Sequence, residues 1–233
     1  MSIRCFISVN LDLEVLKKVI AFQEKLAMEM KKAGCRVSWM PPGNMHLTLR
    51  FLGDIDENLP EAIKGALSRR LQGLAPFIVH AGGVGVFPGL DRPRVIWVGI
   101  EDTERRLQAL QADMEGILAD LGFMPEDKPF TAHLTLGRVR QEPPGAIRGI
   151  LAGIQAPAFG QSEIRNVVIY RSDLKHTGAE YSVLQRITLN GGPRVTSPKP
   201  SVPPATDSAP PAPDSVGKSG SDGPGGDGPP EER

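Results

Sequence analysis

The tetrapeptide His-Leu-Thr-Leu occurs twice in this chain of 233 residues, once starting at His46 and once starting at His133. In a β-strand, alternate side chains share one face, so His46 would point the same way as Thr48, and His133 the same way as Thr135. The leucines between them would point to the opposite, apolar face. Each tetrapeptide therefore predicts a strand that presents an imidazole and a hydroxyl side by side.

Two imidazoles and two hydroxyls brought face to face would suit the in-line attack of water on a phosphorus centre. One neutral imidazole can take a proton from the water, and one protonated imidazole can give a proton to the leaving oxygen. The hydroxyls can donate hydrogen bonds to the non-bridging phosphate oxygens, where negative charge must be stabilised. A cyclic phosphodiester of ribose is an apt substrate, because ring strain helps and the leaving hydroxyl stays attached.

Two other interpretations of these residues need to be weighed. A single His-x-Thr in a strand is weak evidence, because such a pair is usually a partly buried polar pair. Two histidines are also too few ligands for a typical zinc site. No nearby Cys, Asp or Glu offers a completing motif, so the sequence predicts neither a metal nor a cofactor. Two identical strings at equivalent points of a repeat favour the catalytic interpretation.

The elements that must position these residues recur in the same order in both halves. The first half predicts a strand with period two, a helix capped by Asp12 and ended by Gly34, a short strand, the first HLTL strand, a helix and a strand, at residues 3–9, 12–34, 36–40, 46–53, 59–71 and 77–87. The second half predicts a strand, a helix, the second HLTL strand, a helix and two strands, at residues 94–100, 103–121, 130–139, 146–154, 163–171 and 180–189. Two such lobes can pack about a pseudo-two-fold axis, which would place the HLTL strands face to face. The predicted class is α+β, a bilobal duplication.

Composition divides the chain into a folded part and a tail. Residues 193–233 contain 11 Pro, 6 Gly and 6 Ser among 41 residues, which predicts a disordered segment. Residues 1–192 are expected to form the two-lobed domain, with sequence halves near 1–90 and 91–192 that can interleave in space. These 192 residues hold 23 basic and 21 acidic side chains, which argues against a large non-specific nucleic-acid surface.

The sequence also indicates the cellular compartment of the protein. No segment approaches the roughly 18 apolar residues that a membrane span needs, and no secretory signal is evident at the start. Cys5 and Cys35 have no metal-type spacing and fit a reducing compartment. We therefore expect a cytoplasmic monomer, with no membrane contact and no obligatory protein partner.

The paired motifs and their flanks resemble the two-histidine phosphoesterases. Within that superfamily they resemble the RNA 2′,3′-cyclic phosphodiesterases, historically called 2′-5′ RNA ligases. The supporting flanks are FLGD after the first motif, GVFP, RVIWVGI and IYRSDL, at residues 51–54, 85–88, 94–100 and 169–174. The similarity covers about residues 1–190 and leaves the tail outside.

The resemblance implies two antiparallel sheets that flank a central cleft, with helices outside, and hydrolysis of 2′,3′-cyclic phosphate ends to 2′-phosphates. It implies that His46 is the proton donor and His133 the proton acceptor, a choice that spacing alone does not make. Thr48 and Thr135 correspond to phosphate contacts. Arg138 matches an arginine expected at the phosphate, although strict alternation would place it on the leucine face unless the strand twists or ends there. RNA ends or small cyclic-phosphate nucleotides are the implied partners.

Three further residues carry two interpretations each. Arg50 shares the face of His46 and could meet phosphate or sit at a solvated edge. Phe51 could stack on a base, although packing beside Leu49 is favoured. Tyr170 could line the cleft through its hydroxyl or simply pack.

Two competing functions remain open at this stage. A phosphodiesterase for small nucleotides, such as ADP-ribose cyclic phosphates, would share the phosphate chemistry. A non-catalytic RNA-end binder would not need the acid and base that both motifs supply. Reverse 2′-5′ ligation follows from microscopic reversibility.

Overall fold

Two antiparallel sheets carry the HLTL strands, which confirms the α+β prediction. The computed structural model describes residues 1–126, 128–155, 157–176 and 178–191. Its strands are β1 (Ser2–Val9), β2 (Arg36–Trp39), β3 (Leu47–Asp56), β4 (Phe77–Phe87), β5 (Val95–Glu101), β6 (His133–Gln141), β7 (Ala158–Ile164), β8 (Asn166–Lys175) and β9 (Gly178–Thr188). Its helices are α1 (Leu13–Lys32), α2 (Leu59–Arg70), α3 (Arg106–Asp120) and α4 (Ala146–Ala152), with a 3₁₀ turn at Pro42–Asn44. The predicted tail lies outside the described residues.

Each sheet takes strands from both halves of the sequence. One sheet has the order β3-β1-β8-β9, and the other has the order β2-β6-β5-β4-β7. In both sheets the HLTL strand pairs antiparallel with the first strand of its own half, β3 with β1 and β6 with β5. The order of elements that repeats along the chain is therefore matched by a repeat in how the strands pair. Strands β3 and β6 also contact each other across the two sheets.

Strand β1 lies inside its sheet and is covered on both faces. Cys5, Ile7 and Val9 face one side, and Phe6 and Ser8 face the other, yet all five are buried. The apolar face meets the core. The face with Phe6 is covered by aromatic side chains that belong to the site described below.

Helix α1 packs against β7, β2 and α4 through a buried stripe that includes Val19, Leu26 and Met30. The helix ends where Gly34 adopts a φ of +78°, a conformation that favours glycine. Asp12 is the N-cap residue of this helix, as predicted, but its side chain does not cap the helix. The Asp12 carboxylate makes no capping bond and instead accepts a hydrogen bond from the Glu163 backbone N–H at 2.8 Å, which joins the start of α1 to β7.

The structure corrects one strand and trims two helices. The strand predicted at residues 163–171 is two strands, β7 and β8, separated at Arg165. The helices predicted at residues 103–121 and 146–154 form α3 and α4, which are shorter. Alternation alone did not reveal the break, because apolar residues such as Ile164 and Val167 lie close to Arg165 on both sides. No helix among the described residues is long and apolar enough to cross a membrane.

Candidate active site

A cavity of about 570 Å³ between the two HLTL strands brings the predicted site residues together. The residues that line it include His46, Thr48, His133, Thr135 and Arg138. Behind the two hydroxyls and imidazoles, the leucines of both tetrapeptides are at most 3% exposed. The alternation of side chains along a strand therefore predicted the observed orientation, in which the polar side chains point toward the cavity and the leucines lie in the core.

His46 lies between the 3₁₀ turn and β3, packed among aromatic rings. Its ring stacks on Phe6, with centroids 4.6 Å apart and an interplanar angle of 21°, and Tyr181 meets it edge-on at 5.2 Å. Burial lowers the pKa of His46 from its ordinary value of 6.5 to about 4, against a smaller raising effect from a hydrogen bond to the Asn44 backbone. The imidazole is therefore neutral at pH 7 before any ligand binds.

His133 begins β6 and has a different environment. Its Nδ1 lies 2.8 Å from the backbone oxygen of Thr131, and the edge of its ring contacts Phe87 with centroids 5.0 Å apart. A carbonyl oxygen only accepts, so the neutral ring must carry its proton on Nδ1. The lone pair is then on Nε2, the atom that can take a proton from a water molecule.

A β-bulge places Arg138 in the cavity. In the pairing of β5 with β6, Trp97 faces Thr135 and Ile96 faces Gly137, so Leu136 is an extra residue on β6. The extra residue shifts the alternation by one position, so that Arg138 faces the same side as Thr135. This extra residue explains why Arg138 does not lie on the leucine face, where strict alternation would place it. The guanidinium of Arg138 is exposed at the cavity wall.

Arg50 is held by acidic residues and a backbone oxygen. It is only 6% exposed, and its Nη1 lies 3.3 Å from Glu126 and 3.6 Å from Glu115. Its Nη2 donates to the backbone oxygen of Met124. Arg50 therefore ties β3 to the segment that precedes β6, and the solvated-edge interpretation is wrong.

Phe51 and Tyr170 have different positions. The ring of Phe51 is 61% exposed and lines the cavity, so the expected packing beside Leu49 is wrong. Extra residues on β3 opposite β1 alter its alternation and turn Phe51 outward. Tyr170 stacks on Phe6 at 5.3 Å, and its hydroxyl oxygen accepts a hydrogen bond from the Asn10 amide at 3.1 Å, so Tyr170 supports the aromatic stack behind His46.

Several cavity residues were not identified from the sequence. Lys128, Phe130 and Thr131 reach the cavity from the segment before β6, and Phe87 reaches it from the end of β4. Lys128 adds a cation to the guanidinium of Arg138, whereas the third cation of the lining, Arg50, is paired with Glu115 and Glu126. None of these residues belongs to a periodic pattern, although their proximity to the HLTL strand and to GVFP was a usable signal.

The arrangement can bind an anion and move two protons. Two hydroxyls, one guanidinium and one ammonium suit the oxygens of a phosphate, and two imidazoles suit proton donation and acceptance. Among the residues that the structure describes, no group of three or more His, Cys, Asp or Glu side chains is placed to hold a metal ion.

Two antiparallel sheets that bring two His-x-Thr strands to one cavity define a two-histidine phosphoesterase. The model of the family described as LigT like phosphoesterase matches residues 10–97 and 98–180, one segment for each half. A Thermotoga maritima protein named RNA 2′,3′-cyclic phosphodiesterase is 35% identical over 189 residues, which are 81% of this chain and 97% of that protein. The chain therefore belongs to the LigT-like phosphoesterase family.

Two solved structures have the same fold. The crystal structure of TT0787 from Thermus thermophilus is 28% identical, with a TM-score of 0.67, and the similarity covers 81% of this chain and 98% of that one. E. coli LigT complexed with 3′-AMP is 23% identical, with a TM-score of 0.65, over 81% of this chain and 99% of that one. The arrangement of two antiparallel sheets is thus shared with both solved structures.

Proposed function

We propose that this chain hydrolyses the 2′,3′-cyclic phosphate ends of RNA or nucleotides to 2′-phosphates. The observation that carries the proposal is the single cavity lined by both imidazoles, both motif hydroxyls and Arg138. The name of the Thermotoga maritima relative supports the same reaction. Five side chains of these types suit a phosphodiester, because three of them can bind its oxygens while two exchange protons with it.

The reaction needs one bond formed, one bond broken and two protons moved. The oxygen of a water molecule forms a bond to phosphorus while His133 Nε2 takes one of its protons. The bond between phosphorus and the ribose O3′ breaks, and His46 gives its proton to O3′. Thr48, Thr135 and Arg138 stabilise the charge on the non-bridging oxygens. The product is a 2′-phosphate, and the two histidines return to their first states by exchanging protons with solvent.

The acid role of His46 requires a proton that the unliganded site does not hold at pH 7. A bound cyclic phosphate carries a negative charge, which favours the imidazolium form. At about 4 Å and an effective dielectric constant of about 20, such a charge contributes about 4 kcal/mol, which corresponds to about 3 pKa units. Substrate binding would therefore bring the pKa of His46 close to neutrality and couple proton uptake to the arrival of the phosphate.

The first experiment measures hydrolysis of a nucleoside 2′,3′-cyclic phosphate in the presence of EDTA and identifies the product. We expect release of the 2′-phosphate without added metal, and a loss of about 10²–10⁴-fold in kcat in His46→Gln and in His133→Gln. His80→Gln is the matched control, because His80 is exposed on β4 and does not line the cavity between the HLTL strands. A 3′-phosphate product, or full activity in both variants, would contradict the mechanism.

A second experiment separates the acid from the base. The leaving group of a p-nitrophenyl phosphodiester departs as an anion and needs no proton. His46→Gln should therefore recover most of its activity on this substrate, whereas His133→Gln should not. The reverse pattern would exchange the two roles.

A relative that acts on small cyclic nucleotides would share this chemistry, and a non-catalytic RNA-end binder would share only the phosphate contacts. Turnover of the cyclic substrate excludes the binder. The cytoplasmic location, the monomeric state and reverse ligation stay predictions.

A further inference from the structure

A second, larger cavity of about 1100 Å³ adjoins the catalytic cavity and shares Phe51 and Arg138 with it. It is lined by residues of both sheets, including Trp39 at the end of β2 and Arg140 on β6. The hairpin between β8 and β9 contributes Lys175 to the same lining. Because Phe51 and Arg138 line both cavities, the two cavities meet at these side chains, and we call the larger one the outer groove.

The lining of the outer groove includes both cations and aromatic rings. Arg138 and Arg140 are two residues apart on one strand, about 6.7 Å along its axis, and both are exposed. Among the described residues, neither lies within ion-pair distance of a carboxylate, whereas Lys175 pairs with Glu180 at 2.5 Å. The ring of Phe51 is 61% exposed at the junction of the cavities. Such a surface offers charge to a phosphate and a flat face to a base.

We propose that the outer groove binds the nucleotide that adjoins the terminal ribose of an RNA, so that this chain prefers cyclic-ended oligonucleotides to cyclic mononucleotides. The inference rests on the proposed function, because the cyclic end must occupy the catalytic cavity. Arg140 contacts the phosphate that links the last two nucleotides, and Phe51 stacks with a base at the junction. A peptide partner would not explain why the cations continue the line of phosphate-binding side chains on β6.

The test compares kcat/KM for a cyclic mononucleotide and a cyclic-ended tetranucleotide with the same terminal base. We expect the tetranucleotide to be favoured by about tenfold, as one stacked base and one phosphate contact would give. Arg140→Gln should lower kcat/KM for the tetranucleotide several-fold more than for the mononucleotide. It should also reduce the salt slope of tetranucleotide binding by about 0.7. Arg186→Gln is the control, since Arg186 is exposed on β9 and lines neither cavity.

Equal kcat/KM values for the two substrates, or an equal loss for both in Arg140→Gln, would overturn the outer-groove proposal. If neither substrate is hydrolysed, the proposed function fails. The groove is then judged by the fluorescence anisotropy of a labelled tetranucleotide that ends in a 3′-phosphate. Weaker binding to Arg140→Gln than to the control supports the groove, and equal binding overturns it.

A second inference concerns Gln23, a buried polar side chain of α1 that is 6% exposed. Its amide nitrogen donates two hydrogen bonds, both 2.9 Å long, to the backbone oxygens of Met40 and Leu136. The Leu136 oxygen also accepts the Met40 N–H at 2.7 Å. Leu136 is the extra residue of the β6 bulge, so one amide joins α1, the end of β2 and the bulge.

We infer that Gln23 is a positioning residue that holds the bulge and thereby aims Arg138 at the phosphate. Without the extra residue, Arg138 would fall on the side of Leu134 and Leu136, away from the cavity. A methionine at position 23 would have nearly the same shape and no donor, so the two carbonyl oxygens would lose a partner. This inference also rests on the proposed function, through the role of Arg138.

The experiment is a double-mutant cycle of Gln23→Met and Arg138→Gln, read by the calorimetric affinity for inorganic phosphate and for adenosine 2′-phosphate. Each single variant should weaken binding several-fold, and Gln23→Met should add little in the Arg138→Gln background. Val19→Ala, another buried change on α1, should lower Tm and leave affinity unchanged. Gln23→Asn, which keeps the amide but is one methylene shorter, replaces Gln23→Met if that variant does not fold.

The possible outcomes distinguish a positioning role of Gln23 from a purely structural one. If Arg138→Gln binds both ligands like the wild type, the proposed phosphate contact is wrong, and the inference falls with it. If Arg138→Gln weakens binding but Gln23→Met only lowers Tm, Gln23 is structural and the inference is overturned. Full additivity of the two losses would also overturn it, because Gln23 would then not act through Arg138.

Discussion

The protonation of His46 should make the stability of this protein depend on pH in a defined window. Burial against Phe6 lowers the pKa of His46 from 6.5 to about 4, so between these values the unfolded chain binds a proton that the folded chain does not. Stability therefore rises with pH across this window and is lost as the pH falls from 6.5 to 4. A pKa shift of this size lowers the free energy of unfolding by about 3 kcal/mol when the pH falls from above 6.5 to below 4.

The assay is urea denaturation of the wild type and of His46→Gln at a series of pH values from 7.5 to about 4. Carboxylates whose pKa is lowered in the folded state also lose stability in acid, as Asp54 does beside Arg4. They contribute equally to both proteins, so the difference between the two curves isolates His46. Tyr181, whose pKa is raised above its ordinary value, does not titrate in this range. Parallel curves for the two proteins would refute the argument that His46 is buried as a neutral ring.

The same argument predicts the effect of a ligand. A phosphate monoester in the cavity should raise the pKa of His46 by about 2–3 units, since the anion replaces water beside the ring. NMR titration of the histidine ring signals, with and without adenosine 2′-phosphate, measures this directly, and His46→Gln identifies the signal. A pKa near 6.5 in the free protein, or a pKa that the ligand leaves unchanged, would refute the coupling of proton uptake to substrate binding.

Three further substitutions test other parts of the structure. His133→Gln should lower kcat by about 10²–10⁴-fold while product affinity, measured by calorimetry, changes little. Gly137→Ala should cost about 1–3 kcal/mol in urea denaturation, because its Cβ would lie 2.8 Å from a methyl of Val37 and 3.0 Å from the Trp39 ring; an unchanged midpoint would contradict this close approach. Arg50→Met should lower the free energy of unfolding by about 1–3 kcal/mol, because the backbone oxygen of Met124 and the half-buried Glu115 would lose their partner, and turnover should fall with it. A stable and fully active variant would show that Arg50 does not position the site.

Periodicity and repetition were enough to predict the strands that carry the chemistry. Alternation in HLTL placed His46 and Thr48 on one face and the leucines in the core, as the structure has them. The repeat placed His133 and Thr135 opposite them. Alternation is a local property of a strand, and the repeat is visible in the sequence itself, so both features can be predicted from the sequence.

Features that depend on pairing between distant strands could not be predicted in the same way. Arg138 and Phe51 both lie beyond a bulge, and a bulge is defined by the register with a partner strand that is remote in sequence. Lys128 reaches the cavity from a segment with no repeating pattern, so its position depends on the tertiary structure. Asp12 looked like a helix cap because its neighbours in sequence allow that role, whereas its observed partner, Glu163, is 151 positions away.

In the proposed mechanism, the two histidines take different roles although their motifs are identical. Each has the same tetrapeptide, but His46 stacks on Phe6, while His133 has its Nδ1 fixed by the Thr131 backbone oxygen. The fixed Nδ1 leaves Nε2 of His133 as a proton acceptor without any ligand. In the same mechanism, His46 gains its proton only when a bound anion offsets the cost of burial, so it would become an acid when a cyclic phosphate is present and its O3′ needs a proton. The proposed assignment of donor and acceptor therefore depends on neighbours that the motif does not contain, and changing these neighbours should change the behaviour of each ring. Phe6→Ser, which opens the stack to water, should raise the pKa of unliganded His46 toward 6.5 and weaken the coupling between phosphate binding and proton uptake.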